Sequence, residues 1–148
     1  MFDRVFIEKD IASSNRTSFI LNKLNLDKSS KNVSLIENID SIFNRVKKPY
    51  LQKRSNLNLF IGEKKGELVK KAPDAYGVSG DPHYYFIHAY NCIYECEYCY
   101  LQGYFNSPDI VLFINHEDIG QKIKEITATH PKNKTVWFHA GEYSDSLA

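Results

Sequence analysis

Short apolar runs and helical spacings alternate along the chain. Val5-Phe6-Ile7 is a brief apolar run that predicts a strand, and the stretch from Thr17 through Phe19, Ile20, Leu21 and Leu24 follows as a helix. A second run at residues 33–36 predicts another strand. Ile39, Ile42, Phe43 and Val46 then recur at three- and four-residue steps, marking one face of a helix that must end before Pro49. The first fifty residues thus read as a β-α-β-α unit, with a further short strand expected at residues 57–61.

The second half repeats the logic. Residues 84–89, Tyr-Tyr-Phe-Ile-His-Ala, combine aromatic and β-branched positions without clean alternation, as a largely buried strand does. Another strand is expected at residues 110–114. Asn115 then offers a side-chain oxygen to the free N–H groups of a helix, with Glu117 and Asp118 in its first turn and Ile119, Ile123 and Ile126 along one face. That helix stops near His130-Pro131, and residues 135–140 form the next strand. Strand, loop, helix and strand in this order predict parallel pairing through a crossover. The last residues, Gly141 to Ala148, are a polar loop turning toward a helix that never arrives, so the chain reads as the N-terminal fragment of a larger α/β protein.

Composition narrows the classes. With 148 residues, 43% of them hydrophobic, the chain is long enough for a real core, and disorder is excluded as a default. A formal charge of +1 gives no global argument for nucleic acid or membranes. Locally, nine basic residues (Arg45, Lys47, Lys48, Lys53, Arg54, Lys64, Lys65, Lys70 and Lys71) face only Glu63 and Glu67. That segment is either a solvated linker or a phosphate-facing strip. No apolar stretch reaches the length of a membrane span and no secretory layout opens the chain, so a cytoplasmic location is expected.

The three cysteines, Cys92, Cys96 and Cys99, lie within eight residues as C-x3-C-x2-C, just after the expected strand. An odd, crowded set makes a poor disulfide framework and a good metal set. Three thiolates hold three corners of a 4Fe-4S cluster and leave one iron open for a small molecule. Zinc is the alternative, with a fourth ligand from His83, His88 or Glu95. A non-catalytic zinc or nucleic-acid binding module, or an inactive truncated fragment, stands beside the enzyme reading at this point. The tyrosines around the array (Tyr84, Tyr85, Tyr90, Tyr94 and Tyr104) suit core packing or base stacking.

The run Cys92, Cys96, Tyr98, Cys99 resembles the C-x3-C-x-aromatic-C signature of the radical S-adenosylmethionine enzymes. Within that superfamily, Cys96-Glu97-Tyr98-Cys99-Tyr100-Leu101-Gln102, together with Leu59-Phe60-Ile61-Gly62 and Ser144-Asp145, resembles the spore photoproduct lyase branch. The resemblance implies an α/β fold: an N-terminal β-α domain with a basic linker over residues 1–80, and over 81–148 the first part of an incomplete barrel of parallel strands. It implies a 4Fe-4S cluster on Cys92, Cys96 and Cys99, and S-adenosylmethionine bound by Tyr98, Gly141, Glu142, Ser144 and Asp145. The implied chemistry is reductive cleavage of that cofactor to a 5'-deoxyadenosyl radical, which abstracts hydrogen from a substrate such as a thymine lesion in DNA. An electron donor such as a flavodoxin or ferredoxin, and DNA, are the implied partners.

In the lyases two tyrosines relay the hydrogen atom, and Tyr98 and Tyr100 occupy those positions. The lyases also carry a hydrogen-donating cysteine in the loop after the second barrel strand, and Glu142 stands there in this chain. Only one glycine, Gly141, precedes that glutamate, where the family carries two. Of the histidines, His139 lies nearest that loop, and packing in the core is its expected role.

Overall fold

A computed structural model describes residues 2–45, 57–73, 80–94 and 96–147. The elements are β1 (Val5–Glu8), α1 (Asn15–Lys23), β2 (Val33–Ile36), β3 (Leu59–Gly62), β4 (Val69–Lys71), β5 (His83–Phe86), β6 (Ala89–Tyr90), β7 (Ile110–Phe113), α2 (His116–Ala128) and β8 (Trp137–Ala140). Among the described residues they form two sheets, one ordered β2-β1-β3-β7-β6 and one ordered β4-β5-β8.

In the larger sheet β2, β1, β3 and β7 run parallel, and β6 closes one edge antiparallel to β7. Parallel strands covered on both faces need apolar side chains on both, and the pleat delivers them. Val5, Ile7, Leu59, Ile61 and Ile110 face one way and pack with Ile11 and Leu21. Phe60, Val111 and Phe113 face the other way, against Ile39 and Phe43. Ser14 starts α1 by accepting the Thr17 N–H at 3.0 Å, while the buried Thr17 hydroxyl donates to the Ile11 carbonyl at 2.8 Å.

Glu8, at the end of β1, is 4% exposed. Burial of a carboxylate is tolerated only with donors around it. Its oxygens accept the Ile39 N–H at 3.0 Å and the Glu63 N–H at 3.1 Å, and Lys65 Nζ stands 3.6 Å away. The close approach dictates Gly62, where an added Cβ would lie 2.4 Å from Ile39 Cδ1 and 2.8 Å from Glu8 Oε2.

The smaller sheet carries the expected parallel pair: β5 and β8 run side by side, with His83 opposite Trp137 and Phe86 opposite Ala140. The mixed α/β class and the parallel pairing through α2 therefore hold. The division at residue 80 is not a division between sheets, because β6 and β7 join β1, β2 and β3.

Four local expectations need correction. The helix expected from Ile39 is a single 3-10 turn, Ile39–Ser41, and Asn44 at φ +64° turns the chain away; Val46 lies outside the described residues. Asn38 and Ser41 bond locally with this backbone, and Ile42 is exposed, so only Ile39 and Phe43 reach the core. The strand expected over 84–89 is two: β5 ends at Phe86, Ile87 and His88 break the ladder, and β6 continues in the other sheet. Residues of β5 are half-buried rather than buried. Asn115 begins α2 without capping it; its amide instead accepts the Lys64 N–H at 2.9 Å and donates to the Lys64 carbonyl at 3.2 Å, tying down the loop after β3.

Of the basic strip, residues 46–56 lie outside the described residues. Lys70 and Lys71 lie in β4, a strand that the charge pattern conceals. No described helix is long and apolar enough to cross a membrane.

Candidate functional site

The cysteine array is the loop of a hairpin. β6 and β7 pair antiparallel, Ala89 opposite Leu112 and Tyr90 opposite Val111, and the cysteines occupy the excursion between them. A buried polar clamp closes its base. Asn91, at φ +57° and 6% exposed, donates from Nδ2 to the carbonyls of Ser107 and Asp109, both at 2.7 Å. Asp109 in turn accepts from the Ser107 hydroxyl at 2.8 Å and from the Asn58 N–H at 2.9 Å, which anchors the clamp to the start of β3. Sequence reading misses Asn91, Ser107 and Asp109. The signal is an asparagine, tolerant of the left-handed region, before the first cysteine and a Ser-x-Asp before the returning strand.

Within the loop, the Cys99 N–H donates to the Cys96 carbonyl at 3.0 Å, and Gln102 Nε2 reaches the same oxygen at 2.8 Å. The Tyr94 N–H points at Cys92 Sγ, 3.4 Å away. None of the three cysteines is in a disulfide, and all three are half-exposed. Tyr98 is 90% and Tyr100 86% exposed. The neighbouring Cys96 side chain, more than any other group, raises the Tyr98 phenol above the ordinary range.

The second loop follows β8. Gly141 adopts φ +82°, and a Cβ there would lie 2.2 Å from the Ser144 carbonyl oxygen, so the turn admits only glycine. The Gly141 N–H donates to the Phe86 carbonyl at 3.3 Å, carrying the β5–β8 ladder into the turn. Ser144 is buried, and exposed Asp145 accepts the Leu147 N–H at 2.7 Å in a local turn. Glu142 Oε2 is buried with no hydrogen-bond partner among the described residues.

Tyrosines hold the two loops together. Tyr143 stacks on Tyr104 with centroids 5.0 Å apart and meets Phe105 at 5.4 Å and Tyr90 at 5.8 Å. Its hydroxyl lies 3.4 Å from that of Tyr104. The Tyr104 bond, burial and the neighbouring Glu142 carboxylate push the Tyr143 phenol well above its usual range. Tyr90, packed among Phe43, Phe105 and Phe113, is raised as well, chiefly by burial. The tyrosines of this region are therefore packing residues to different degrees: Tyr90 lies inside the cluster, while Tyr94 and Tyr104 keep about half their surface in solvent.

His88, in the break between β5 and β6, has its ring Nδ1 buried with no hydrogen-bond partner among the described residues, and burial lowers its basicity. Its carbonyl accepts the Phe113 N–H at 2.9 Å, and its Cε1 would lie 3.3 Å from a Cβ at residue 141. One residue thus touches β7 and the Gly141 turn. An apolar cavity of about 310 Å³ opens beside it, lined by Phe19, Ile20, Leu112 and Ile93 with Ser144 and Asp145 at its rim. His139, expected in the core, is exposed because its side of β8 faces away from α2, and it pairs with His83 on the small sheet.

The donor chemistry suits the implied groups: three thiols outside any disulfide on a loop with an anchored base, and on the loop stacked against it a buried carboxylate oxygen lacking a donor, which an ammonium would supply. Among the described residues, no three of His, Cys, Asp and Glu converge closely enough to hold a single metal ion; Glu95 lies outside them.

No family model and no curated protein matches this sequence. Solved structures do. A spore photoproduct lyase double mutant with bound AdoMet and dinucleoside spore photoproduct superposes with a TM-score of 0.64 at 19% identity, covering 98% of this chain and 41% of that one. A tyrosine-to-phenylalanine mutant of spore photoproduct lyase gives 0.63 at 18% identity, with the same coverage. The chain thus spans about two-fifths of the length of these structures, and over that span its fold is the fold of spore photoproduct lyase.

Proposed function

We propose that this chain carries the cluster-binding and cofactor-binding part of a radical S-adenosylmethionine enzyme of the spore photoproduct lyase kind. The observation that carries the reading is the joining of two loops. The cysteine hairpin and the Gly141–Asp145 turn are stapled through Tyr104 and Tyr143, and the turn carries a Glu142 oxygen buried with no hydrogen-bond partner among the described residues.

Cys92, Cys96 and Cys99 would hold a 4Fe-4S cluster. When bound and reduced, the cluster supplies the electron that cleaves S-adenosylmethionine to methionine and a 5'-deoxyadenosyl radical. The protein's part is binding and exclusion. Glu142 receives the cofactor's ammonium by a charge-assisted hydrogen bond, Gly141 lets the backbone turn close to it, and Ser144 and Asp145 line the cavity rim. Tyr98 and Tyr100, both exposed on the cysteine loop, would begin the hydrogen relay.

A thymine lesion is the first substrate to test, since one matching structure holds a dinucleoside spore photoproduct. This chain's three cysteines all belong to the loop, so hydrogen return to such a lesion would need a donor other than a thiol at residue 142. A carboxylate there binds a cation and donates no hydrogen atom. An electron-donor protein of the flavodoxin or ferredoxin kind completes the proposal.

The test is iron and sulfide analysis of the anaerobically reconstituted chain, with electron paramagnetic resonance of the reduced form before and after S-adenosylmethionine. Several irons per chain and a signal that moves on addition are expected, and Cys96→Ala should abolish the iron-sulfur absorbance. One zinc per chain and no sulfide would overturn the reading in favour of a zinc module.

A further inference from the structure

Basic residues avoid the two loops of the candidate site. From Ala72 to Gln121 the sequence contains no Lys or Arg, so all 19 lie elsewhere, and none lies in the turn from Gly141 to Ala148 either. Carboxylates are not kept out in the same way. Glu97 on the cysteine loop and Asp145 on the turn are both exposed, and no described Lys or Arg pairs with either. Among the described residues, the one cation lining the cavity beside the turn is Lys23, whose Nζ stands over the Phe19 ring at 5.5 Å.

Aromatic surface accompanies the acid. Tyr98 and Tyr100 are 90% and 86% exposed on the cysteine loop. Cys96 chiefly, with Asp145 as a lesser cause, raises the Tyr98 phenol, so that ring and the carboxylate of the other loop lie in each other's field. Ring faces attract ammonium and guanidinium groups through their quadrupole, and carboxylates pair with the same groups. A phosphate backbone needs the opposite surface, with Lys or Arg at its phosphates.

We propose, resting on the reading of these loops as the cofactor end of a radical enzyme, that they present the substrate surface for a polypeptide segment carrying several Lys or Arg side chains. Tyr98 and Tyr100 offer ring faces to those side chains, and Glu97 and Asp145 are their counter-charges. The openness of the surface decides between a polypeptide and a small amine. A lone ion pair in water is weak, because solvent screens it. With both rings almost fully exposed, nothing encloses a single ammonium, so affinity has to come from several such contacts made by one ligand. A segment with repeated basic residues supplies them.

The formal charge of +1 exerts no general pull on a cation, so binding reports on the local surface. The full chain is titrated into fluorescein-labelled hexalysine and, separately, into labelled oligothymidylate, with anisotropy read at low and high salt. Saturable binding of hexalysine that weakens with salt is expected, with oligothymidylate roughly tenfold weaker or more. Glu97→Gln combined with Asp145→Asn should weaken hexalysine binding roughly tenfold. Tyr98→Leu combined with Tyr100→Leu should weaken it severalfold, whereas Glu125→Gln on α2 should leave it unchanged. Glu97→Lys guards against a folding artefact: it should lose hexalysine and gain hexaglutamate. Oligothymidylate binding as tight as hexalysine, hexalysine binding that ignores the paired carboxylate substitutions, or an equal loss in Glu125→Gln would overturn the surface. Iron content of the same reconstituted samples keeps the two readings apart. A chain that assembles its cluster and ignores hexalysine overturns the peptide surface alone, while one that binds hexalysine as expected and takes up no iron upholds the surface and overturns the enzyme reading.

Discussion

Replacement of Asn91 by alanine tests whether the clamp at the hairpin base positions the cysteines. The side chain donates two hydrogen bonds of 2.7 Å to carbonyls at the far end of the loop, and Asn91 is 6% exposed. Alanine leaves both carbonyls with one partner fewer in a place water does not easily reach, at about 1 kcal/mol or more each. It must also hold φ +57°, a conformation in which asparagine is tolerated and alanine costs roughly a further 1 kcal/mol. A loss of about 3 kcal/mol in urea unfolding follows, a large share of the stability of a chain this size. Asn91→Asp separates the two contributions: it keeps the asparagine-like backbone tolerance but turns carboxylate oxygens toward the two carbonyls, so it should be at least as damaging. Asn91→Gly relieves the backbone and should recover about 1 kcal/mol relative to alanine. Denaturant midpoints of the four proteins, read by circular dichroism, check the order. An alanine variant within about 0.5 kcal/mol of wild type would refute the clamp as a structural device.

Three further outcomes follow from the same geometry. Gly141→Ala, whose Cβ would lie 2.2 Å from the Ser144 oxygen, should leave iron-sulfur absorbance intact and abolish the cofactor-induced change in the paramagnetic signal. Glu142→Gln removes the charge but keeps the shape; a roughly tenfold weaker response to S-adenosylmethionine is expected from losing a charge-assisted bond, measured by titrating that signal. The phenols of Tyr143 and Tyr90 are raised, the first mainly by the Tyr104 bond and the second by burial. The folded chain therefore holds protons that the unfolded chain releases near pH 10, and stability present below that pH is lost as pH rises beyond it. Tyr143→Phe keeps the ring stack and should flatten the alkaline limb of a stability-against-pH profile.

The strands that read clearly from sequence are those whose apolar runs exceed what a surface would carry. Val5-Phe6-Ile7, Leu59-Phe60-Ile61 and residues 110–113 are central parallel strands, apolar on both faces because both faces are covered. What alternation cannot disclose is which sheet a strand joins. β5 and β6 look like one strand because their residues are uniformly suited to a ladder, and the break at Ile87-His88 is set by two different partners, β8 on one side and β7 on the other. Buried Glu8 was equally hidden: a glutamate ending a strand reads as solvent-facing until Ile39 and Glu63 are folded back onto it.

The candidate site divides along the same line. Cysteine spacing is a local signal, and it marks the loop as the candidate without any fold. The convergence of that loop with Gly141–Asp145 is a long-range fact carried by Tyr90, Tyr104, Phe105 and Tyr143, residues whose types say only that they pack somewhere. The break at His88 explains why they meet. Because the chain leaves the small sheet at Phe86 and enters the large one at Ala89, the hairpin rises from the seam between sheets, beside the strand ends where the Gly141 turn begins. His88 packs its ring against the Gly141 turn and accepts the Phe113 N–H with its backbone carbonyl, so it touches both sides of that seam. His88→Phe should therefore loosen the junction without touching a thiol. Hydrogen exchange would then speed up in both residues 92–106 and residues 141–147. Faster exchange in one segment alone would show that the two loops are held independently, and that Tyr104–Tyr143 contact follows from their positions rather than coupling them.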